Sequence, residues 1–171
     1  TDLLTGLPNR NAFEKRMEAL RGSGISGTMV VVADLNDLKR INDQRGHQKG
    51  DAALIFVADA LKASFQDKEE LYRIGGDEFC ALSGRITGEE LEDFAASLQK
   101  KLEEGETKLG FPVSVAVGWS REDECGIDLA FRRADFTMYE KKQQMKRKRK
   151  QEELRSEPPE CDCGGIKNET E

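Results

Sequence analysis

The sequence predicts an α/β domain with a mixed central β-sheet flanked by helices. A continuous apolar run over 28–33 indicates a buried central strand, and Asp34 stands at its C-terminal end. Two apolar runs, 71–74 and 79–82, enclose a Gly-Gly pair, which is typical of a tight β-hairpin turn. Elsewhere apolar residues recur at helical spacing. The length of 171 residues fits a single hydrophobic core.

The elements are predicted in the order helix, strand, two helices, hairpin, helix, strand and helix. Pro8-Asn9 starts the first helix, and a Gly/Ser loop over 22–27 leads to the first strand. The remaining predicted elements are helices over about 37–44 and 49–65, the hairpin over 71–82, a helix over 89–104, a strand over 113–119 and a helix from 127 to about 150.

Carboxylates stand at two points of this predicted sheet. Asp77 and Glu78 follow the glycine pair at the hairpin tip, where their mutual repulsion suggests a bound cation and the glycines admit a phosphate. Asp34 stands at a strand end, where ligands bind in open α/β sheets. If the hairpin pairs beside that strand, Asp34 and Asp77 could share one or two Mg²⁺ ions. Spacing alone leaves a second interpretation, a capping aspartate and a solvated hairpin tip.

Composition restricts the classes of partner and compartment. The net charge of −6 argues against nucleic-acid binding by the chain as a whole. No apolar stretch reaches the length of a membrane span, and no signal peptide is visible. The four cysteines are scattered, which favours a reduced, cytoplasmic compartment, although Cys161 and Cys163 could instead hold a soft metal.

The C-terminal region changes character twice. Residues 141–150 are mostly basic, and residues 151–171 are polar and acidic. We therefore predict one domain over 1–150 and a disordered tail over 151–171. The basic run has three interpretations: a solvated helix end that favours the helix dipole, a patch for nucleic acid or acidic membrane, or a triphosphate-binding segment in its first half.

Ordered motifs along the chain resemble the GGDEF domain, the diguanylate cyclase family. The resemblance covers about residues 1–146. The motifs are DLLTGLPNR at 2–10, DLNDLKRIND at 34–43, GHQKGD at 46–51, RIGGDEF at 73–79, SVAVG at 114–118 and ADFTMY at 134–139. The resemblance implies the palm-like fold shared with nucleotide cyclases and many polymerases.

The same resemblance implies an activity. Two GTP molecules are condensed into cyclic di-GMP with release of two pyrophosphates, each 3′-hydroxyl attacking the other nucleotide's α-phosphorus. Two Mg²⁺ (or Mn²⁺) ions per GTP lower the hydroxyl pKa and neutralise the leaving group. Each domain holds one GTP, so the implied partner is a second GGDEF domain in a homodimer. An upstream sensor or dimerisation domain is expected, and it could anchor this cytoplasmic domain to a membrane.

Residue roles are carried over by position in these motifs. Asp77, Glu78 and Lys39 are the implied catalytic residues. Asp34, Asp77 and Glu78, with the backbone carbonyl of Leu35, are the implied metal ligands. The implied substrate contacts are Asn42, His47 and Asp51 on the guanine side, and Lys142 and Lys146 on the β and γ phosphates. Structural alternatives stay open: Asn42 and Asp51 as helix caps, and His47 as a core or capping residue.

Departures from the family pattern bear on activity. Asn36 replaces the second acid of D-x-D, and Met145-Lys146 stands where Gly-Arg is usual, so one bidentate fork is lost. Residues 66–69 replace the inhibitory R-x-x-D site without its arginine, which predicts that feedback through that site is absent. Two functions remain, an active diguanylate cyclase and a catalytically silent GGDEF module that binds GTP or a partner.

Overall fold

The structure, a computed structural model, describes residues 1–23, 27–65, 70–84 and 87–156. Within them lie five helices and four strands. The elements are α1 Arg10–Gly22, β1 Met29–Leu35, α2 Leu38–Arg45, α3 His47–Ser64, β2 Glu70–Arg73, β3 Glu78–Ser83, α4 Gly88–Leu109, β4 Val115–Arg121 and α5 Ile127–Ser156. The predicted order is confirmed, and the boundaries agree to within about two residues except at the ends of α4 and α5, which both extend further than predicted.

The four described strands form one sheet in the order β2-β3-β1-β4. All three pairings are antiparallel, so the expectation of a mixed sheet is wrong for these strands. The continuous apolar sequence of β1, typical of parallel strands, has another cause. Helices cover both faces of the sheet, and every residue of β1 is buried.

The side chains of β1 alternate between two hydrophobic cores. Met29, Val31, Ala33 and Leu35 pack in the core that contains the apolar faces of α3 and α4. Val30 and Val32 pack in the opposite core, with residues of α1 and α5. This two-sided burial fixes the register of β1, and therefore the position of Asp34 at its end.

Helix α5 lies unusually close to the sheet at Gly118 of β4. A Cβ atom at that position would lie 2.2 Å from both the Ala134 carbonyl oxygen and the Met138 amide nitrogen. Only glycine admits this approach without movement of backbone. The contact fixes the height of α5 above the sheet, and α5 carries the basic side chains expected at the site.

Helix α5 ends at Ser156, beyond the expected end near Lys150. Glu153 pairs with Arg149 on the same face of α5 and with Arg40 of α2, which holds the added turns against the domain. Residues 151–156 are thus helical, and the rest of the predicted tail, with Cys161 and Cys163, lies outside the described residues. In the described part of the chain, no helix is both long and apolar enough to span a bilayer.

Candidate active site

The end of β1 and the tip of the β2–β3 hairpin meet, as the sequence predicted. Asp34 stands opposite Glu78 in the antiparallel β1–β3 ladder. One residue further on, the Leu35 amide donates a hydrogen bond to the Asp77 carbonyl oxygen at 2.9 Å. Acids from two distant segments of the chain therefore share one edge of the sheet.

Lys142 of α5 completes this group. Its Nζ lies 2.5 Å from Asp34 Oδ1 and 3.9 Å from Asp77 Oδ2. The Asp34 side chain is only 4% exposed, so this ammonium is its main source of compensating charge. The site thus joins β1, the hairpin and α5 through one lysine and two carboxylates.

The pKa of the Asp34 carboxyl lies above its ordinary value. Burial raises its pKa, the Lys142 hydrogen bond opposes that effect, and the charges of Asp77 and Glu78 raise it further, to about 6. Ionisation of Asp34 is unfavourable because the carboxyl is buried beside two more acids. A further cation would therefore stabilise its ionised form.

The hairpin turn uses its first glycine for close packing. The amides of Ile74 and Gly75 both donate to the Glu78 carbonyl oxygen, at 2.9 and 3.2 Å. A Cβ on Gly75 would lie 2.4 Å from Glu78 Oε2, whereas one on Gly76 would meet nothing within 4 Å. Neither glycine is among the residues with positive φ. The close packing at Gly75 is therefore against the flexible Glu78 side chain, and left-handed backbone plays no part in it.

Arg73 fastens the other side of this turn. Its Nη2 donates to the Gly76 carbonyl at 2.6 Å and its Nη1 donates to Asp2 Oδ1 at 2.9 Å. Asp2 Oδ1 also accepts from the amide and hydroxyl of Thr5, at 2.8 and 2.7 Å. The opening motif of the chain thus holds the hairpin tip in place, a role that the sequence did not reveal.

A cavity of about 500 Å³ opens between the acids and α5. Asp34, Glu78, Lys142 and Lys146 line it, whereas Asp77 is not among its lining residues. Sequence reasoning assigned no role to its other lining residues. These are Arg132, Asp135, Phe136, Met138, Tyr139 and Gln143. A signal was available for three of the six, because Asp135, Met138 and Tyr139 share one helical face with Lys142 at spacings of seven, four and three residues.

The residues predicted on the guanine side lie on α2 and α3. Asn42 is half-buried, and its Oδ1 is buried without a hydrogen-bond partner among the described residues. Gly50 makes room for it, since a Cβ there would lie 1.9 Å from that oxygen. His47 and Asp51 are exposed, one turn apart on α3. His47 is therefore not a core residue, and its other predicted roles stay predictions.

The lysines predicted to bind phosphate are placed differently from one another. Lys39 is exposed on the first turn of α2, and no ion pair is recorded for it within the described residues. Lys146 lies one turn beyond Lys142 and borders the 500 Å³ cavity. The turn that precedes α2 contains Asp37 in the left-handed conformation, with φ 59° and no side-chain cap.

Two departures from the family pattern contact each other. Asn36, buried, places its Nδ2 3.5 Å from Met145 Sδ and 3.1 Å from Ser114 Oγ. Both residues border a second cleft of about 430 Å³ between α2 and the end of α5, where Arg149 pairs with Asp37. The side chain of Asn36 is therefore turned toward Ser114 and Met145 in this cleft.

The donor set fits a divalent cation that takes few protein ligands. Among the described residues no group of three or more His, Cys, Asp or Glu side chains is arranged to hold a metal by itself. Asp34 and Asp77 supply hard oxygen atoms that converge on one ammonium, and Mg²⁺ typically uses one or two carboxylates with water and substrate phosphate. The fold and this site define an α/β domain with a candidate divalent-cation site at one sheet edge, beside the lysines of α5.

Comparisons with known proteins agree. Residues 1–148 match the family described as "Diguanylate cyclase, GGDEF domain". Probable diguanylate cyclase DgcJ of Escherichia coli is 31% identical over 149 residues, which are 84% of this chain and 29% of that protein. Cyclic di-GMP phosphodiesterase PdeR of the same bacterium is 33% identical over 153 residues, 84% of this chain and 22% of that protein.

Solved structures give the same assignment. The GGDEF domain of DgcB from Caulobacter crescentus, in complex with c-di-GMP, aligns with a TM-score of 0.69 and 26% identity, covering 84% of this chain and 90% of that one. The chain belongs to the GGDEF domain family of cyclic di-GMP signalling. It spans less than a third of DgcJ and about a fifth of PdeR.

Proposed function

We propose that this chain is a diguanylate cyclase domain that condenses two GTP molecules into cyclic di-GMP. The observation that carries the proposal is the meeting of Asp34, Asp77 and Lys142, with Glu78 opposite Asp34 in the ladder. Phosphoryl transfer to a hydroxyl needs carboxylates for a divalent cation and fixed positive charge for the phosphates. This site offers both at one cavity.

The acids have separable tasks. Asp34 and Asp77, with the Leu35 carbonyl, would hold divalent cations, which when bound lower the pKa of the attacking 3′-hydroxyl and neutralise charge on the phosphates. Glu78 lies opposite Asp34 and borders the same cavity, where it helps hold the cation or accepts the hydroxyl proton. Gly75 leaves room for its carboxylate.

Positive groups bind the triphosphate. Lys142 and Lys146 border the cavity from α5, one turn apart, and would bind the β and γ phosphates. Lys39, exposed on the first turn of α2, would stabilise charge that develops on the phosphates. The uncapped turn before α2 presents backbone amides, which favour an anion at a helix N-terminus.

Guanine is chosen by a carboxylate and an amide. Asp51 can accept from the N1–H and N2–H₂ groups of guanine, which adenine does not offer. The unpartnered Oδ1 of Asn42 supplies a second acceptor. His47, exposed at the start of α3, borders the same region as a substrate contact.

One domain presents one nucleotide, so the reaction requires two copies of the site facing each other. The 3′-hydroxyl of each GTP attacks the α-phosphorus of the other, and the exposed cavity of each domain faces its partner. The rate should therefore depend on protein concentration more steeply than linearly.

The test is incubation with GTP and Mg²⁺ at rising protein concentration. Cyclic di-GMP whose yield rises faster than linearly supports the cyclase, and Asp77→Ala should abolish it with the fold intact by circular dichroism. PdeR, which is similar over 84% of this chain, is named a phosphodiesterase and not a cyclase, so a silent GGDEF module is the second candidate. GTP binding without turnover at every protein concentration would establish that candidate instead.

A further inference from the structure

The position of Lys142 conflicts with its proposed task. Its Nζ is bonded to Asp34 Oδ1 and is 3.9 Å from Asp77 Oδ2, so it lies between the two carboxylates proposed to hold the cation. The proposed function needs the same ammonium on the phosphates. A divalent cation and an ammonium that share one buried carboxylate also repel each other.

We propose that Lys142 is an exchangeable counter-ion that couples nucleotide binding to metal binding. It neutralises Asp34 until a triphosphate enters, then transfers to the phosphate oxygens and leaves Asp34 and Asp77 to the divalent cation. This inference rests on the proposed function. Because the coupling is a free energy shared by two sites, the nucleotide must tighten metal binding by the same factor by which the metal tightens nucleotide binding.

The surroundings of Lys142 permit the transfer. Its side chain is 18% exposed and borders the 500 Å³ cavity, so the ammonium can swing on its four-carbon stem while α5 stays fixed by Gly118. Lysine carries a compact charge on a flexible stem, whereas arginine would grip the carboxylate with a planar fork. A lysine is therefore the side chain suited to exchange between two anionic partners.

Lys146 provides a matched comparison. It lies one turn further along α5, borders the same cavity, and is in no recorded ion pair within the described residues. Its removal takes away the same charge from the same helix face without releasing Asp34. Any effect that follows from general electrostatics should appear in both variants, and an effect of exchange should appear only at Lys142.

The experiment measures Mn²⁺ binding without nucleotide, by calorimetry and by the paramagnetic resonance of free Mn²⁺, in the wild-type chain, Lys142→Gln and Lys146→Gln. Lys142→Gln should bind Mn²⁺ about tenfold more tightly than wild type, since a competing charge a few ångströms away is removed. Lys146→Gln should stay within about twofold of wild type. Thermal unfolding checks that each variant is folded, and Lys142→Met replaces Lys142→Gln if the latter is not.

A second measurement adds a GTP analogue with a methylene bridge between its α and β phosphates. The analogue should tighten Mn²⁺ binding by a larger factor in wild type than in Lys142→Gln, since the variant has no lysine to transfer. Unchanged, weaker or undetectable Mn²⁺ binding by Lys142→Gln overturns the proposal, and so does an equal gain in Lys146→Gln. Turnover plays no part in either measurement, so failure of the cyclase assignment would be recognised separately by the lack of cyclic di-GMP from wild type.

Discussion

Two carboxylates beside the same hairpin turn, Asp2 and Asp34, are held in opposite ways. Burial raises the pKa of Asp2, but hydrogen bonds from Thr5 and Arg73 outweigh it and lower the pKa to about 2. For Asp34 burial is the larger effect, and the neighbouring acids add to it, so the pKa rises to about 6 despite Lys142. Asp2 has enough hydrogen-bond donors to outweigh its burial, and Asp34, with Lys142 alone, does not.

The difference separates a structural anchor from a chemical site. Asp2 is satisfied within the chain, and its hydrogen bonds through Arg73 hold the turn that carries Asp77. Asp34 is buried among acids with one ammonium, that of Lys142, an arrangement that costs folding stability at neutral pH and favours a ligand of positive charge. Buried acids that are unfavourable for folding, such as Asp34, are expected at functional sites, where a bound ligand offsets their cost.

The largest expected effect comes from Asp34→Asn. Loss of a carboxylate proposed to hold the cation should lower cyclic di-GMP synthesis about a thousandfold or more. Because the folded pKa of Asp34 lies above its ordinary value of 3.8, its contribution to stability is present below about pH 4 and lost as pH rises through 6. The variant should therefore be more stable than wild type at pH 8, on the order of 1 kcal/mol by urea unfolding.

Asp2→Asn is the control for the activity loss. Per folded molecule it should retain synthesis to within about twofold, because the amide oxygen of asparagine can still accept from Thr5 and Arg73 and because position 2 does not border the cavity. An Asp34→Asn protein that is less stable than wild type at pH 8 would show that the Lys142 ion pair outweighs the cost of burial, and the contrast between the two acids would be lost.

Gly118→Ala tests whether close packing at Gly118 of β4 fixes the position of α5, which carries Lys142. The new methyl would meet backbone atoms of Ala134 and Met138, which cannot move by side-chain rotation. We expect a loss of about 2 kcal/mol or more in the free energy of unfolding, with a lower rate of synthesis as Lys142 is displaced. Gly22→Ala, where a Cβ meets nothing within 4 Å, should be neutral or slightly stabilising in the same urea titration. Equal stability of the two variants would contradict close packing at Gly118.

Much of the fold was predictable because its signals are local. The apolar run of β1 and the glycine pair between two apolar runs each specify an element within a few residues. Pairing of the hairpin with β1 is then sufficient to bring Asp34 and Asp77 together. Antiparallel pairing on both sides of β1 was not predictable, because a strand buried on both faces has the same composition in either sheet type.

The rest of the site depends on contacts between distant segments. Arg73 and Asp2 are 71 residues apart, and Arg40 and Glu153 are 113 apart, so neither pairing leaves a periodic signal. The second contact joins α2 to the part of α5 that lies beyond its predicted end. Family resemblance predicted that Lys142 contacts phosphate, whereas its hydrogen bond to Asp34 required the structure.

Gly75→Ala should have a smaller effect, confined to the hairpin tip. The added methyl would press on the Glu78 carboxylate, whose flexible end can move, so stability should fall by less than about 1 kcal/mol. Displacement of Glu78 should lower kcat about tenfold, measured as initial rates of cyclic di-GMP formation. Gly76→Ala, with no neighbour within 4 Å, should leave the rate nearly unchanged. Similar rates for the two variants would show that the position of Glu78 is not limiting.

The smallest expected effect is the pH-dependent destabilisation by Asp2→Asn. The folded pKa of Asp2, about 2, lies below its ordinary value of 3.8, so its contribution to stability is present above about pH 4 and lost as pH falls toward 2. Because the side chain is 24% exposed and solvent screens the Arg73 pair, we expect a loss of about 1 kcal/mol at pH 7. Urea unfolding of both proteins between pH 7 and pH 3 should show that the difference between their free energies of unfolding becomes smaller as the pH falls. A gap that stays constant over that range would mean that Asp2 holds the hairpin through its shape and hydrogen bonds alone, and that its charge does not distinguish it from Asp34.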